Sequence, residues 1–439
     1  MPKLETIGAA LVALGLGALT ATGAIAQTLA VPAELELEQT KKELERIIAE
    51  NGEEAPNAKK TLETLSEPGE PGRQMRNRIG ERSGRRIVNG VPATGYPAVG
   101  ALLLGRDPAS ARFLCTGTLV GCDKFLTAAH CVDEDDRPQH YLAFFQELGF
   151  FQVNDVRWPK QQYKKPYASY DLAMLTLARN ADGIAPMAIN LSTTAKPLNK
   201  SLATIVGFGR TGGERHDYGI RRIGSARIER CTSELADKAL CWKYDAVVKA
   251  GSSISNTCNG DSGGGVFMFD HDGQKRVQKI FGVVSGGTDA RRCQRKDESY
   301  NVDVAEFAAW INEAGEGRLS TQQCGGQQGN LRSRSALLYL DESKQREVLP
   351  LDVPAGTRKL RVAMNGEDNG TGANDFNLLV YRGTQVSDTQ PACTGAGPGQ
   401  FAFCEIAGPS LGKWSVVVQR KRGKGNVQIT TTFVGSDVP

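Results

Sequence analysis

From Ile87 onward the chain alternates short apolar runs with turn-forming residues. Ala98–Leu104, Leu114–Val120, Phe125–Ala128, Leu172–Leu177, Leu202–Phe208, Gly265–Phe269 and Ile280–Val284 are each of strand length. This spacing predicts an all-β barrel or sandwich. VAEFAAWINEA at 304–314 departs from the pattern. There Phe307, Trp310 and Ile311 fall on one face at helical spacing and predict a helix. Residues 315–335 have the composition of a linker. Beyond them Ala336–Leu340, Val348–Val353, Lys359–Met364, Phe376–Tyr381, Phe401–Ile406, Lys413–Gln419 and Val427–Phe433 predict about seven more strands. In Lys413–Gln419 both faces are mostly apolar, which suits the core strand of a sandwich. No repeat relates the two halves.

The first 86 residues have a different texture. Lys3 precedes the apolar run Ile7–Leu19, and Ala24-Ile25-Ala26 stands before Gln27, as at the exit of a signal peptide. Ile7–Ala26 is also an uncharged stretch of anchor length, but its Gly, Ala and Thr make it weakly apolar. Residues 34–50 place Leu35, Leu44, Ile47 and Ile48 on one face of a charged helix. That helix is either a solvated surface element or part of a pro-segment packing on the rest. Pro, Gly and Arg between 66 and 86 predict an exposed, protease-accessible stretch.

At 439 residues the chain favours more than one domain. Its net charge of +4 is small and not gathered into a basic stripe, so no nucleic-acid partner is expected. Ten cysteines without a CxxC argue against zinc-knuckle and thioredoxin readings. Their even count points to disulfides and an oxidising compartment.

The chemistry centres on CNGDSGGGVF at 258–267. A serine that attacks a carbonyl needs a base, an orienting acid and donors for the oxyanion. Glycine beside it lets a substrate backbone approach closely. The donors here would be the N–H groups of Gly260 and Ser262. Of four histidines, His140, His216 and His271 sit among polar residues, whereas His130 lies in FLTAAHCV after an apolar run. Taken alone, His130 reads as a buried imidazole beside a disulfide; together with Ser262 it reads as the base. Asp171 in SYDLAMLTL is the only acid between 156 and 181. It is either a strand-start residue or a carboxylate held inside by an imidazole N–H.

CTGTLVGCDKFLTAAHC, YDLAMLTL, GFGRTG, CNGDSGGGVF and GVVSGG, in that order, resemble the chymotrypsin/trypsin-like serine endopeptidases over Ile87–Ala314. The resemblance implies two six-stranded Greek-key barrels with the site between them. It makes His130 the general base, Asp171 its orienter and Ser262 the nucleophile. Ser285, Gly286 and Gly287 would pair with substrate backbone. It also implies the bridges Cys115–Cys131, Cys231–Cys241 and Cys258–Cys293. Cys393–Cys404 would close a loop in the second half. Cys122 and Cys324 are left either to pair or to stay as thiols. RRIVNG at 85–90 resembles the family's activation site. Cleavage after Arg86 would free the amino group of Ile87 to pair with Asp261. Asn256 stands where trypsin-like members carry the acid that binds Arg or Lys. Glu298 could supply that charge from the far wall if it points inward, and leaves a roomy neutral pocket if it points out.

Residues Leu337–Val434 resemble the bacterial pre-peptidase C-terminal β-sandwich. There Asp368, Asn374 and Asp375 form either a calcium loop or, more simply, a solvated turn. The organisation expected is a signal peptide at 1–26, a pro-segment at 27–86, a protease domain at 87–314, a linker at 315–335 and a sandwich at 336–439. The expected function is a secreted serine endopeptidase made as a zymogen. Its partners would be protein or peptide substrates and an activating protease. No cofactor, resident metal or membrane insertion after signal cleavage is expected. The alternative is an inert protease-like protein that binds through its C-terminal sandwich.

Overall fold

The computed structural model describes residues 87–435, apart from 89, 164–169, 198, 214, 233–237, 245–253, 273–274, 289–292, 294–296, 326–329, 368–373, 387–389 and 396–398. The expected signal peptide, pro-segment and Arg86 therefore lie outside the described residues, as does Asp368. Within them the structure is almost entirely β.

Val99–Leu104, Arg112–Leu119, Lys124–Thr127, Ala173–Leu177, Gly149–Arg157 and Tyr141–Phe145 close, in that order, into a barrel. Inward residues such as Leu102, Phe125, Phe144, Phe151 and Leu175 fill it and exclude water. The second sheet runs Val91–Pro92, Arg222–Arg227, Leu202–Gly207, Gly265–Asp272, Lys275–Gly287, Asp297–Asp303 and Ala239–Tyr244, with Ala188–Ile189 beside Lys275–Gly287. It curls into a half-barrel in the place of the second barrel expected. Just past Arg222–Arg227, Glu229 bridges Cys241 of the last strand, next to the Cys231–Cys241 disulfide. Ile87, Ile205, Trp242, Val266 and Val284 form its core.

The predicted helix is present as a single 3-10 turn, Val304–Phe307, followed by the α-helix Ala308–Gly315. The Asp303 side chain caps it by accepting from the Ala305 N–H. Glu316 ends it in the left-handed conformation. The stretch expected to be a linker is anchored instead. Leu319 bridges Gly121, Cys324 is buried and bonded to Cys122, and a strand begins at Asn330.

The C-terminal part is two four-stranded antiparallel sheets. One holds Asn330–Leu340, Gly425–Gly435, Thr357–Gly366 and Phe401–Ala407; the other holds Arg346–Val353, Gly412–Arg422, Asp375–Arg382 and Cys393–Gly395. Trp414, Val416 and Val418 from one sheet and Leu360, Val362 and Met364 from the other meet in the core between them. The described residues all fall in one compact unit.

Candidate active site

The antiparallel pairing of Lys124–Thr127 with Ala173–Leu177 sets Thr127 opposite Ala173. His130 lies just past the end of the first strand and Asp171 just before the start of the second, so the register alone brings them together. His130 sits on the 3-10 turn Ala129–Cys131, tied back to the barrel by Cys115–Cys131. Asp171 accepts from the His130 backbone N–H at 2.9 Å, and its Oδ2 lies 2.8 Å from Nδ1. The carboxylate only accepts, so Nδ1 carries the proton and Nε2 is the unprotonated, basic nitrogen. Ser285 donates its hydroxyl to the same Oδ2 at 2.5 Å. Burial alone would raise the Asp171 carboxyl. The hydrogen bond and charge of His130, together with the Ser285 hydroxyl, outweigh that and hold it below the usual carboxylate value.

Ser262 sits in the turn that leads into Gly265–Asp272, and it lines the same cleft of about 370 Å³ as His130. The turn is pinned from both sides. The Thr116 N–H donates to the Ser262 carbonyl at 2.9 Å, and the Gly263 N–H to the Val284 carbonyl at 2.8 Å. Gly263 has φ +83°, and a Cβ there would run into the Thr127 hydroxyl and the Thr116 carbonyl. Gly260 is also in the left-handed region, at φ +91°. Thr116, which the sequence did not single out, donates its hydroxyl to the Gly260 carbonyl at 2.8 Å.

Asp261 points away from the cleft. Its carboxylate is buried and accepts from the Gly209 and Cys258 N–H groups, each at 2.9 Å. Burial pushes its carboxyl up to about 7, the two N–H groups and Arg222 opposing that only in part. Ile87 is wholly buried in the core of the second sheet. The Val88 carbonyl accepts from the Asn256 N–H at 3.1 Å.

The pocket beside Ser262 corrects one expectation. Glu298 does not enter it: both its oxygens bind Thr232, one at the backbone N–H and one at the hydroxyl, each at 2.9 Å. Of the strand Asp297–Asp303, Asp297 and Tyr300 line the cleft, and Asp297 is the acid among them. Its Oδ2 accepts from the Asn256 amide at 2.7 Å. The Trp242 indole donates to Asn256 Oδ1 at 2.9 Å, which turns the amide NH2 toward Asp297. Asn256 itself is fully buried behind the pocket. Gly286 and Gly287 form one wall and Cys258–Cys293 another. Asp297 lies so close behind Gly287 that a Cβ there would be 2.7 Å from its Oδ1.

All ten cysteines are bridged, as 115–131, 122–324, 231–241, 258–293 and 393–404. Among the described residues, the grouping of Cys115, His130 and Cys131 offers no thiolate to a metal, because its sulfurs are bonded to each other. Of the supposed calcium loop, Asn374 is committed elsewhere. The Asn374 amide donates to the Glu367 and Lys424 carbonyls, and its oxygen accepts from the Lys424 N–H.

The model of the trypsin family, described as "Trypsin", matches residues 87–311. Coagulation factor XII of Sus scrofa is 26% identical over 269 residues, covering 55% of this chain and 41% of its own length. The factor XII of Rattus norvegicus is 25% identical, with 55% and 42% covered. The platelet-aggregating proteinase PA-BJ of Bothrops jararaca is 24% identical over 227 residues, with 46% of this chain and 84% of its own covered. The chain thus spans about two fifths of the factor XII relatives it matches. Among the described residues no helix is long and apolar enough to cross a membrane.

Proposed function

Since the chain belongs to the trypsin family, we propose that it is a serine endopeptidase acting through Ser262, His130 and Asp171. The observation that carries this is the His130–Asp171 pair facing the same cleft as Ser262. Nε2 of His130 takes the Ser262 proton as the hydroxyl oxygen attacks the scissile carbonyl. Asp171 holds the imidazole in that tautomer and stabilises the imidazolium that forms. The N–H groups of Gly260 and Ser262 receive the developing oxyanion. The imidazolium returns the proton to the leaving amine, and water then repeats the sequence on the acyl-enzyme. Ser285, Gly286 and Gly287 offer the edge along which substrate backbone lies.

The preferred substrate is a chain with Arg or Lys on the acyl side of the cut. Asp297 supports this, as a buried carboxylate behind Gly287 held by the Asn256 amide. The enzyme is made inactive and switched on by cleavage after Arg86. Asp261 is buried at a cost unless a cation arrives, and the new Ile87 ammonium supplies one. Five disulfides suit an oxidising, extracellular setting.

The test is a fluorogenic peptide panel on material cleaved after Arg86, with Ser262→Ala as control. Turnover of Arg and Lys peptides, abolished in S262A and by an organophosphonate that labels Ser262, is expected. Full turnover in S262A would refute the assignment.

A further inference from the structure

The C-terminal sandwich is buried against the segment that holds the Ser262 turn. Arg222, with 0% of its side chain exposed, donates to Glu367 of the sandwich at 3.1 Å. Its other terminal nitrogen donates to the Gly209 and Asp217 carbonyls, each at 3.0 Å. The Gly209 carbonyl belongs to the same peptide unit as the Arg210 N–H, and that N–H donates to the Asn259 carbonyl at 3.0 Å. The Asn259 carbonyl in turn shares a peptide unit with the Gly260 N–H. A trans peptide is planar, with C=O and N–H pointing in opposite directions. Fixing the Asn259 carbonyl therefore fixes where the Gly260 N–H points.

A second set of contacts reaches the next peptide. Asn365 of the sandwich donates to the Gly219 carbonyl at 2.7 Å. The Gly219 N–H donates to Phe208 at 2.8 Å, and the Phe208 N–H to the Thr116 hydroxyl at 3.0 Å. That hydroxyl binds the Gly260 carbonyl. Phe401 of the sandwich also stacks on Phe113, with centroids 6.4 Å apart. Phe113 packs on Gly260 so closely that a Cβ there would lie 2.7 Å from its ring.

A buried ion pair is weak evidence for stability, since a packed apolar pair does as well. Its retention here needs a positional reason. We infer that the sandwich is a built-in positioning element for the oxyanion turn, with Glu367 acting through Arg222 to aim the Gly260 N–H. This rests on the assignment of that N–H as an oxyanion donor.

The test uses full-length chain cleaved after Arg86, carrying Glu367→Gln or Glu367→Asp. Losing an oxyanion donor outright costs roughly 10²–10³ in kcat, so mis-aiming one should cost about tenfold. E367Q should lower kcat about tenfold with KM within about twofold, and E367D should recover most of it. Affinity for a peptide boronate, whose tetrahedral adduct needs the N–H, should fall in step. Affinity for a small arylamidine, which enters only the Asp297 pocket, should hold. A folded E367Q with unchanged kcat and boronate affinity overturns the inference. So does equal weakening of both inhibitors. If E367Q does not fold, Asn365→Ser is measured in its place, and unchanged kcat there is equally decisive. Failure of the underlying assignment is distinguishable, because the unsubstituted enzyme would then resist organophosphonate labelling.

Discussion

Asp297→Asn keeps the shape of the pocket and the contact with Asn256 while removing one charge. The carboxylate is 2% exposed and lies against Gly287, so a guanidinium entering the cleft meets it with little water between. A unit pair about 4 Å apart at an effective dielectric near 20 is worth about 4 kcal/mol. The asparagine oxygen retains about 1 kcal/mol of that as a neutral acceptor. The net loss of about 3 kcal/mol corresponds to roughly 10²-fold in kcat/KM. The assay compares Arg, Lys and Phe peptides on cleaved enzyme, with Glu298→Gln alongside. D297N should lose about a hundredfold on Arg and Lys while Phe holds or rises. E298Q should keep the preference of the parent, because Glu298 is turned to Thr232. A fall of less than threefold on Arg, or an equal fall on Phe, would show that the charge does not select the substrate.

Three other outcomes are expected. In chain kept uncleaved by Arg86→Gln, stability should fall as pH rises from about 4 to about 7. The folded Asp261 carboxyl binds its proton more tightly than the unfolded one, so its contribution is full below that window and lost above it, by up to about 4 kcal/mol. Denaturant titrations across pH should show Asp261→Asn flatter than the parent, and parallel curves would defeat the latch. Trp242→Phe frees the Asn256 amide from its indole donor and should cost several-fold in Arg-over-Phe preference, measured on the same peptides. Replacing Cys122 and Cys324 together by Ala opens a loop of separation 202 and should lower unfolding free energy by about 5 kcal/mol. An unchanged denaturation midpoint would count against that.

Strands rich in apolar residues were readable in the sequence; those carrying buried polar residues were not. Leu172–Leu177 and Lys413–Gln419 advertise their burial by composition. Asp297–Asp303, DESYNVD, is mostly polar and was not among the predicted strands, yet all but Tyr300 are buried. Its polar atoms are satisfied by distant partners such as Asn256 and Thr232, which no local pattern displays. The same limit displaced the pocket acid by one residue, since period-two alternation cannot be phased without knowing where the strand begins. Arg222–Arg227 was missed for a related reason, because Arg222 is a buried cation whose carboxylate lies 145 residues on. That Ser262, His130 and Asp171 would face one cleft was legible because short, ordered motifs surround each of them.

The Cys122–Cys324 bond, with a separation of 202 residues, makes a covalent ring that encloses Asp171 and Ser262 and begins just before His130. A single nick anywhere in that ring opens it without releasing a fragment. Intact and clipped molecules would therefore migrate together on a non-reducing gel and separate only when thiol is added.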